Sequence, residues 1–185
     1  ALWVQLVAVD GKGTVLAAQL RVGVDTAPPS AWEGAPLADP EPAVTAAQGE
    51  ARLARLVNAE RRRHGLSPLA IDPALAAVAR AHSADMRDAG FFAHRSPTRG
   101  DLVARLGGVG YPFRAARENI ARSGGVAAAH AALMASPGHR ANLLWPELTH
   151  LGVGAVRPDG GDGAGTLVIT ERFALPTAAL PAVAP

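Results

Sequence analysis

The chain has 185 residues, of which 49% are hydrophobic and 18% charged, as in an ordinary soluble globular protein. This length is enough for one hydrophobic core with a small appendage. No apolar run is long enough to cross a bilayer, and the formal net charge of +2 is too small to indicate a nucleic-acid partner. Cysteine is absent, which excludes disulfides, thiol catalysis and thiolate metal ligands.

The N-terminal segment predicts a β-hairpin over residues 1–24. Two apolar-rich runs are joined by Asp10 and Gly11, a pair that favours hairpin turns. Because a lone hairpin is marginal in water, we expect it to be the remnant of a preceding β module or an extension of a sheet. Residues 25–48 contain five prolines between Pro28 and Pro42 and predict a linker.

Helical patterns begin near residue 49. Leu53, Leu56 and Val57 follow helical spacing, and Gly65 is a natural end to that helix. A second helix starts at an Asp-Pro pair, typical of an N-cap followed by the first helical position, and ends at Gly90. Three shorter helices are predicted over 100–106, 125–135 and 136–144.

The spacing of apolar residues changes to a period of two after residue 147. Residues 148–158 and 165–175 predict two strands separated by a glycine-rich turn. Helices followed by a final hairpin favour an α+β layered domain over a doubly wound parallel sheet. We therefore predict one domain over 49–175 and a tail over 176–185.

The six histidines are the main candidates for chemistry, because the common catalytic templates are missing. The sequence contains no HExxH zinc motif, no phosphate-binding loop and no GxSxG nucleophile elbow. His82 shares the apolar face of its helix, where a hydrogen-bonded core histidine is the expected role. His94 follows the apolar run "FFA" in a polar loop, and loops fixed by a rigid scaffold often carry function.

Four separated segments carry a more specific signal. They are "FFAH", "ARENIA", "SPGHRANLL" and "THLGVG". With them, the chain resembles the CAP superfamily of cysteine-rich secretory, antigen 5 and pathogenesis-related 1 proteins, and within it the bacterial SCP-like extracellular branch. The resemblance runs from about residue 50 to residue 173, and residues 1–48 lie outside it.

The resemblance implies a three-layer α-β-α sandwich with a central, mainly antiparallel sheet, here with the N-terminal hairpin as an extension. It also implies a cleft with two histidines and two acids, which holds zinc or another divalent cation in some members. By motif, His94, Glu118 and His139 match three of these four positions. Two imidazoles and a carboxylate are suitable zinc ligands, and three protein ligands leave a position open.

The fourth position departs from the family pattern. The second acid belongs to the helix before His139, and here "GGVAAAHAALMA" contains none. His130 is the one titratable residue of that segment, and either a substitute ligand or a core histidine is compatible with its position. His150 stands at a predicted strand start and is a peripheral candidate.

Three functions remain open from the sequence. The first is an extracytoplasmic domain, secreted or attached to the cell envelope, that binds a metal ion, a lipid or glycan component, or a protein at the cleft. The second is a metal-dependent hydrolase with Glu118 as the candidate base. The third is an interaction module that forms homo-oligomers through the hairpin. The alternative to a ligand or metal site is that the histidines and the carboxylate only hydrogen-bond to tie loops together.

Overall fold

The structure is a computed structural model that describes residues 2–10, 13–22, 45–157 and 167–177. Strands β1 (Leu2–Asp10) and β2 (Gly13–Val22) pair antiparallel, where the sequence predicts a hairpin. Most of the predicted linker and most of the predicted tail lie outside the described residues. The domain boundaries therefore stay predictions.

Three of the five helices in the described residues start at a side-chain N-cap. Helix α1 (Ala46–Arg63) starts at Thr45, whose side chain and that of Gln48 form a capping box. Helix α2 (Pro73–Asp88) starts at Asp72, whose carboxylate accepts from two main-chain N–H groups of the first turn. The shorter helices are α3 (Leu102–Gly107), α4 (Val126–Ala135) and α5 (Pro137–Leu143).

A four-stranded sheet has the order β3-β5-β6-β4. Its strands are β3 (Ala70–Ile71), β4 (Phe113–Ser123), β5 (His150–Val156) and β6 (Leu167–Pro176). Only β3 pairs parallel to its neighbour, so the mainly antiparallel sheet is confirmed. The sequence pattern missed β3, which is very short, and β4, which places polar residues in the interior.

The helices cover both faces of this sheet, which confirms the three-layer α-β-α arrangement. Helix α2 lies so close to β5 that a Cβ atom added to Gly152 or Gly154 would overlap its backbone. On the opposite face, the apolar side chains of α1, α4 and α5 pack against the sheet in the largest core cluster. That cluster includes Leu53, Val57, Leu133, Leu143, Leu151 and Phe173.

The register of the strands places neighbouring polar residues on opposite faces. Glu118 of β4 is opposite Arg172 of β6, which is opposite Gly152 of β5. These three residues share the face that α2 covers, because side chains directly opposite each other in a sheet point the same way. Asn119 and Glu171, one position along each strand, therefore point to the α1, α4 and α5 face.

Candidate functional site

Glu118 lies at the centre of a buried ionic cluster. Its side chain is only 3% exposed, and Nη2 of Arg105 lies 2.7 Å from Oε2 and 2.9 Å from Oε1. Nη2 of Arg172 lies 2.9 Å from Oε2. Burial alone would raise the pKa of Glu118, but the hydrogen bond with His94 and the charges of the two arginines lower it to about 2.

The two arginines have more N–H groups than the described residues satisfy. Arg105 also donates from Nη1 to the carbonyl oxygens of His94 and Gly100, but its Nε has no partner among the described residues. Arg172 is 1% exposed, and its contact with Glu118 is an ion pair without hydrogen-bond geometry. One carboxylate thus neutralises two guanidinium groups, which leaves the cluster with a net positive charge.

Two histidines flank the carboxylate of Glu118. Nδ1 of His94 lies 3.1 Å from Oε1, and the His94 side chain is 56% exposed, so it connects the buried cluster to solvent. His82 is fully buried, with Nε2 3.1 Å from the carbonyl oxygen of Ala93 and 3.8 Å from Oε1 of Glu118. Burial lowers the pKa of His82 to about 4, so this imidazole is neutral at physiological pH.

His139 approaches from the other face of the sheet, at the start of α5. Its main-chain carbonyl accepts a hydrogen bond of 3.1 Å from Nδ2 of Asn119. Asn142 of the same helix donates to Oδ1 of Asn119 at 2.9 Å and to the carbonyl of Glu118 at 3.3 Å. Burial, and then the charge of His94, lower the pKa of His139.

Glu171 is a second buried acid beneath this network. Nδ2 of Asn119 donates to its Oε2 at 3.1 Å, and its Oε1 has no partner among the described residues. Burial raises the pKa of Glu171 to about 7, although the bond with Asn119 opposes the rise. This carboxyl is held in the core and does not replace the missing family acid at the cleft surface.

The described residues do not fit a three-ligand metal site. Among them, no group of three histidine or acidic side chains is arranged to hold a cation. The reason lies in the contacts of Glu118, whose two oxygens are occupied by Arg105, Arg172 and His94. A cation at this carboxylate would have to displace a buried guanidinium group.

His130 and His150 lie outside the contacts around Glu118. His130 of α4 is half-buried, and burial lowers its pKa although the charge of Glu60 of α1 opposes the shift. His150 of β5 pairs with Ala70 of β3 and with Ala174 of β6, and β6 separates β5 from β4. Its Nδ1 lies 2.8 Å from Oγ1 of Thr149. The structure therefore brings together His94, Glu118 and His139.

Five residues of the site were missed from the sequence. They are Arg105, Asn119, Asn142, Glu171 and Arg172. A usable signal was the pair "ER" inside the otherwise apolar strand "LVITERFAL", since charges in a buried strand need partners. No comparable signal pointed to Arg105, because its partner lies on another element.

Comparison with known families agrees with this geometry. The profile of the family described as "CAP: Cysteine-rich secretory protein family" matches residues 54–171, more than half of the chain. The chain belongs to the CAP family. Two curated relatives from Bacillus subtilis match this CAP domain over 58% of the chain: "Uncharacterized protein YkwD" at 44% identity and "Uncharacterized membrane protein YlbC" at 42%. The matches span 42% and 32% of those proteins' own lengths.

Solved structures confirm the CAP fold and come from proteins outside the cytoplasm. An extracellular protein containing an SCP domain from Bacillus anthracis is 37% identical, with a TM-score of 0.63 over 70% of this chain and 41% of its own. An outer surface protein of Borrelia burgdorferi has a TM-score of 0.64 over 72% of this chain and 96% of its own, and at 16% identity it supports the fold alone. In the described part of this chain, no helix is long and apolar enough to span a membrane.

Proposed function

We propose that this CAP domain is an extracytoplasmic binding domain whose ligand contacts His94 and His139 at the outer edge of β4. The observation that carries the proposal is the occupation of Glu118. Because two arginines and His94 surround its carboxylate, Glu118 acts as an internal counter-ion that orients His94. The imidazoles of His94 and His139 are left to meet a ligand.

Hydrolysis is the weaker alternative at this cleft. A general base needs a pKa near the operating pH, and the pKa of Glu118 is held at about 2. Its oxygens are also occupied by Arg105, Arg172 and His94. If a divalent cation is the ligand, the two imidazoles would hold it, and neutral imidazole is a common ligand for such ions.

We propose a location outside the cytoplasm because two proteins of similar structure are described as extracellular or outer-surface proteins. The Bacillus anthracis relative is described as extracellular, and the Borrelia protein as an outer surface protein. The possible homo-oligomer through the N-terminal hairpin also remains a proposal. Light scattering of the chain with and without residues 1–44 tests it, and an unchanged monomer mass would refute it.

The binding proposal is tested by NMR of the labelled histidine side chains. The probes are zinc chloride, soluble glycan fragments of a cell envelope, vesicles of anionic phospholipid, and short peptides. We expect one class of probe to shift the imidazole signals of His94 and His139 together and saturably, with His150 as the unshifted internal control. The proposal fails if no probe moves the pair, or if His150 moves equally.

A further inference from the structure

The edge of the sheet between the two histidines presents main-chain groups without partners. Strand β4 is the last strand of the sheet, and among the described residues it pairs only with β6. Its residues from Phe113 to Arg117 are partly or fully exposed, whereas residues 118–121 are buried. The first half of β4 is therefore an accessible strand edge.

The direction of the main-chain groups follows from the ladder on the other side of the sheet. The carbonyl of Leu151 accepts from the N–H of Asp72, so the main-chain N–H and C=O of Leu151 point away from β6. The direction of the main-chain groups alternates along a strand. Those of Gly152 therefore point toward β6 and exchange hydrogen bonds with Arg172. The main-chain groups of Arg172 thus point away from β4. Those of Glu118, directly opposite, must point to the outer edge.

A side-chain contact agrees with this assignment. Asn142 donates to the carbonyl of Glu118 from outside the sheet, at 3.3 Å. Ala116, two residues earlier on the same strand, has the same orientation, and its N–H and C=O have no hydrogen-bond partner among the described residues. Because main-chain polar groups are nearly always paired or hydrated, this segment of edge is available to a partner strand.

The surroundings of the edge are cationic. Three segments contain arginines and no acidic residue: residues 91–100, which carry His94, residues 113–117 of β4, and helix α5. These arginines are Arg95, Arg99, Arg114, Arg117 and Arg140. The guanidinium group of Arg117 lies 4.2 Å from the ring centroid of Trp145, which fixes one positive charge beside the edge. Glu118 and Glu171, the acids of the neighbouring polar network, are buried, and Glu118 is already shared by two arginines.

We propose that the outer edge of β4 around Ala116 pairs with a short, extended, acidic peptide segment. This inference rests on the proposed function, because the segment would run between His94 and His139, and it names the class of ligand. Main-chain hydrogen bonds to the N–H and C=O of Ala116, next to the Glu118 carbonyl that Asn142 occupies, would supply affinity, and the arginines would select acidic side chains.

The test uses the full chain and three probe peptides of five residues with blocked ends. The first alternates glutamate and valine, the second alternates lysine and valine, and the third is the first with N-methylated amides. We expect the acidic peptide alone to shift the amide signals of Ala116 and Glu118. Loss of the main-chain hydrogen bonds on methylation should weaken its binding by about tenfold or more.

Two variants separate the edge from its surroundings. Ala116→Pro removes an outward N–H at a position where an edge strand tolerates proline, and Ala116→Gly keeps that N–H as the matched control. We expect loss of binding in the first and retention in the second. If the proline variant does not fold, Arg117→Gln serves instead, and we expect weaker binding of the acidic peptide and still no binding of the lysine peptide.

The outcomes separate this inference from the proposed function. Equal binding of the methylated and unmethylated peptides would overturn strand pairing, as would binding of glycan fragments with no response to any peptide. In the glycan case, joint shifts of His94 and His139 would still support the proposed function. Shifts at Ala116 and Glu118 with both imidazoles unmoved would support strand pairing and refute a ligand that contacts the histidines.

Discussion

Glu118 and Arg172 lie opposite each other on β4 and β6, with Oε2 and Nη2 2.9 Å apart and both side chains almost fully buried. A buried ion pair is costly to break, because removing one partner leaves an uncompensated charge in the interior. In this cluster the same carboxylate also neutralises Arg105. The stability of the domain should therefore depend strongly on Glu118.

Replacement of this carboxylate tests that dependence. We expect Glu118→Gln to lower the free energy of unfolding by about 3–5 kcal/mol, because two buried guanidinium groups lose their counter-ion. Urea denaturation followed by circular dichroism measures the change. Glu147→Gln, at an exposed glutamate, is the matched control and should change stability by less than about 0.5 kcal/mol. Equal stability of the two variants would contradict the counter-ion role.

His82 should make the domain less stable in mild acid. Burial, assisted by the charges of Arg105 and Arg172, lowers its pKa from 6.5 to about 4. A lowered pKa in the folded state gives stability that is present above pH 6.5 and is lost as the pH falls toward 4. The loss from this group is about 3 kcal/mol at most. His82→Gln should flatten the stability profile in that window, and an unchanged slope would exclude His82 as its source.

Glu171 should make the domain less stable as the pH rises. Burial raises its pKa from 4.5 to about 7, so its contribution to stability is complete below pH 4.5 and is lost as the pH rises through 7. Glu171→Gln keeps an acceptor for Asn119 and removes the titrating proton. The variant should gain stability relative to the wild type between pH 5 and pH 8, measured by urea denaturation at each pH. A constant difference over this range would show that Glu171 does not titrate there.

The helix signals were the most predictable part of the fold. Asp72 fixes the start of α2 through capping hydrogen bonds, and Pro137 suits the first turn of α5, so both signals depend on a few adjacent residues. Strand β4 was not predictable in this way. Its sequence "FRAARENIARS" has no alternation of apolar and polar residues, because its polar side chains are buried by partners from other elements.

The site was predictable in its motifs and not in its contacts. Resemblance to the CAP family singled out His94, Glu118 and His139, whose role in a site stays a prediction; Nδ1 of His94 lies 3.1 Å from Oε1 of Glu118, and the main-chain carbonyl of His139 bonds Asn119. Arg105 and Arg172 were not identified, because their pairing with Glu118 depends on how α3 and β6 pack around β4. The metal-ligand role expected of Glu118 stays a prediction, and sequence spacing does not contain the arginine contacts that bear on it.

The close packing of β5 against α2 can be tested by substitution of a glycine on β5. A Cβ atom at position 154 would overlap the backbone of Ala79 and Arg80, whereas one at position 124 would meet no atom within 4 Å. We expect Gly154→Ala to destabilise the domain by about 3 kcal/mol or more, since backbone must move to relieve the overlap. Gly124→Ala should be close to neutral in thermal melts. Similar melting temperatures would show that α2 does not lie against β5 as described.

The network of Asn119 should hold α5, and with it His139, against the sheet. Asn119→Ala removes the bonds to the His139 carbonyl and to Glu171, and leaves Asn142 without its amide acceptor. We expect faster amide hydrogen exchange in α5, with exchange in α2 unchanged as the internal reference. Uniform acceleration in both helices would indicate global destabilisation instead of local release.

The most direct test of the account is the ionisation of Glu118 itself. Carbon-13 NMR of its side-chain carboxyl group, followed from about pH 7 down to about pH 3, reports the charge of this group while the fold is monitored in the same spectra. A counter-ion shared by Arg105 and Arg172 should stay ionised through this range, in keeping with a pKa of about 2. A titration midpoint at or above 4.5, the ordinary value for glutamate, would contradict it.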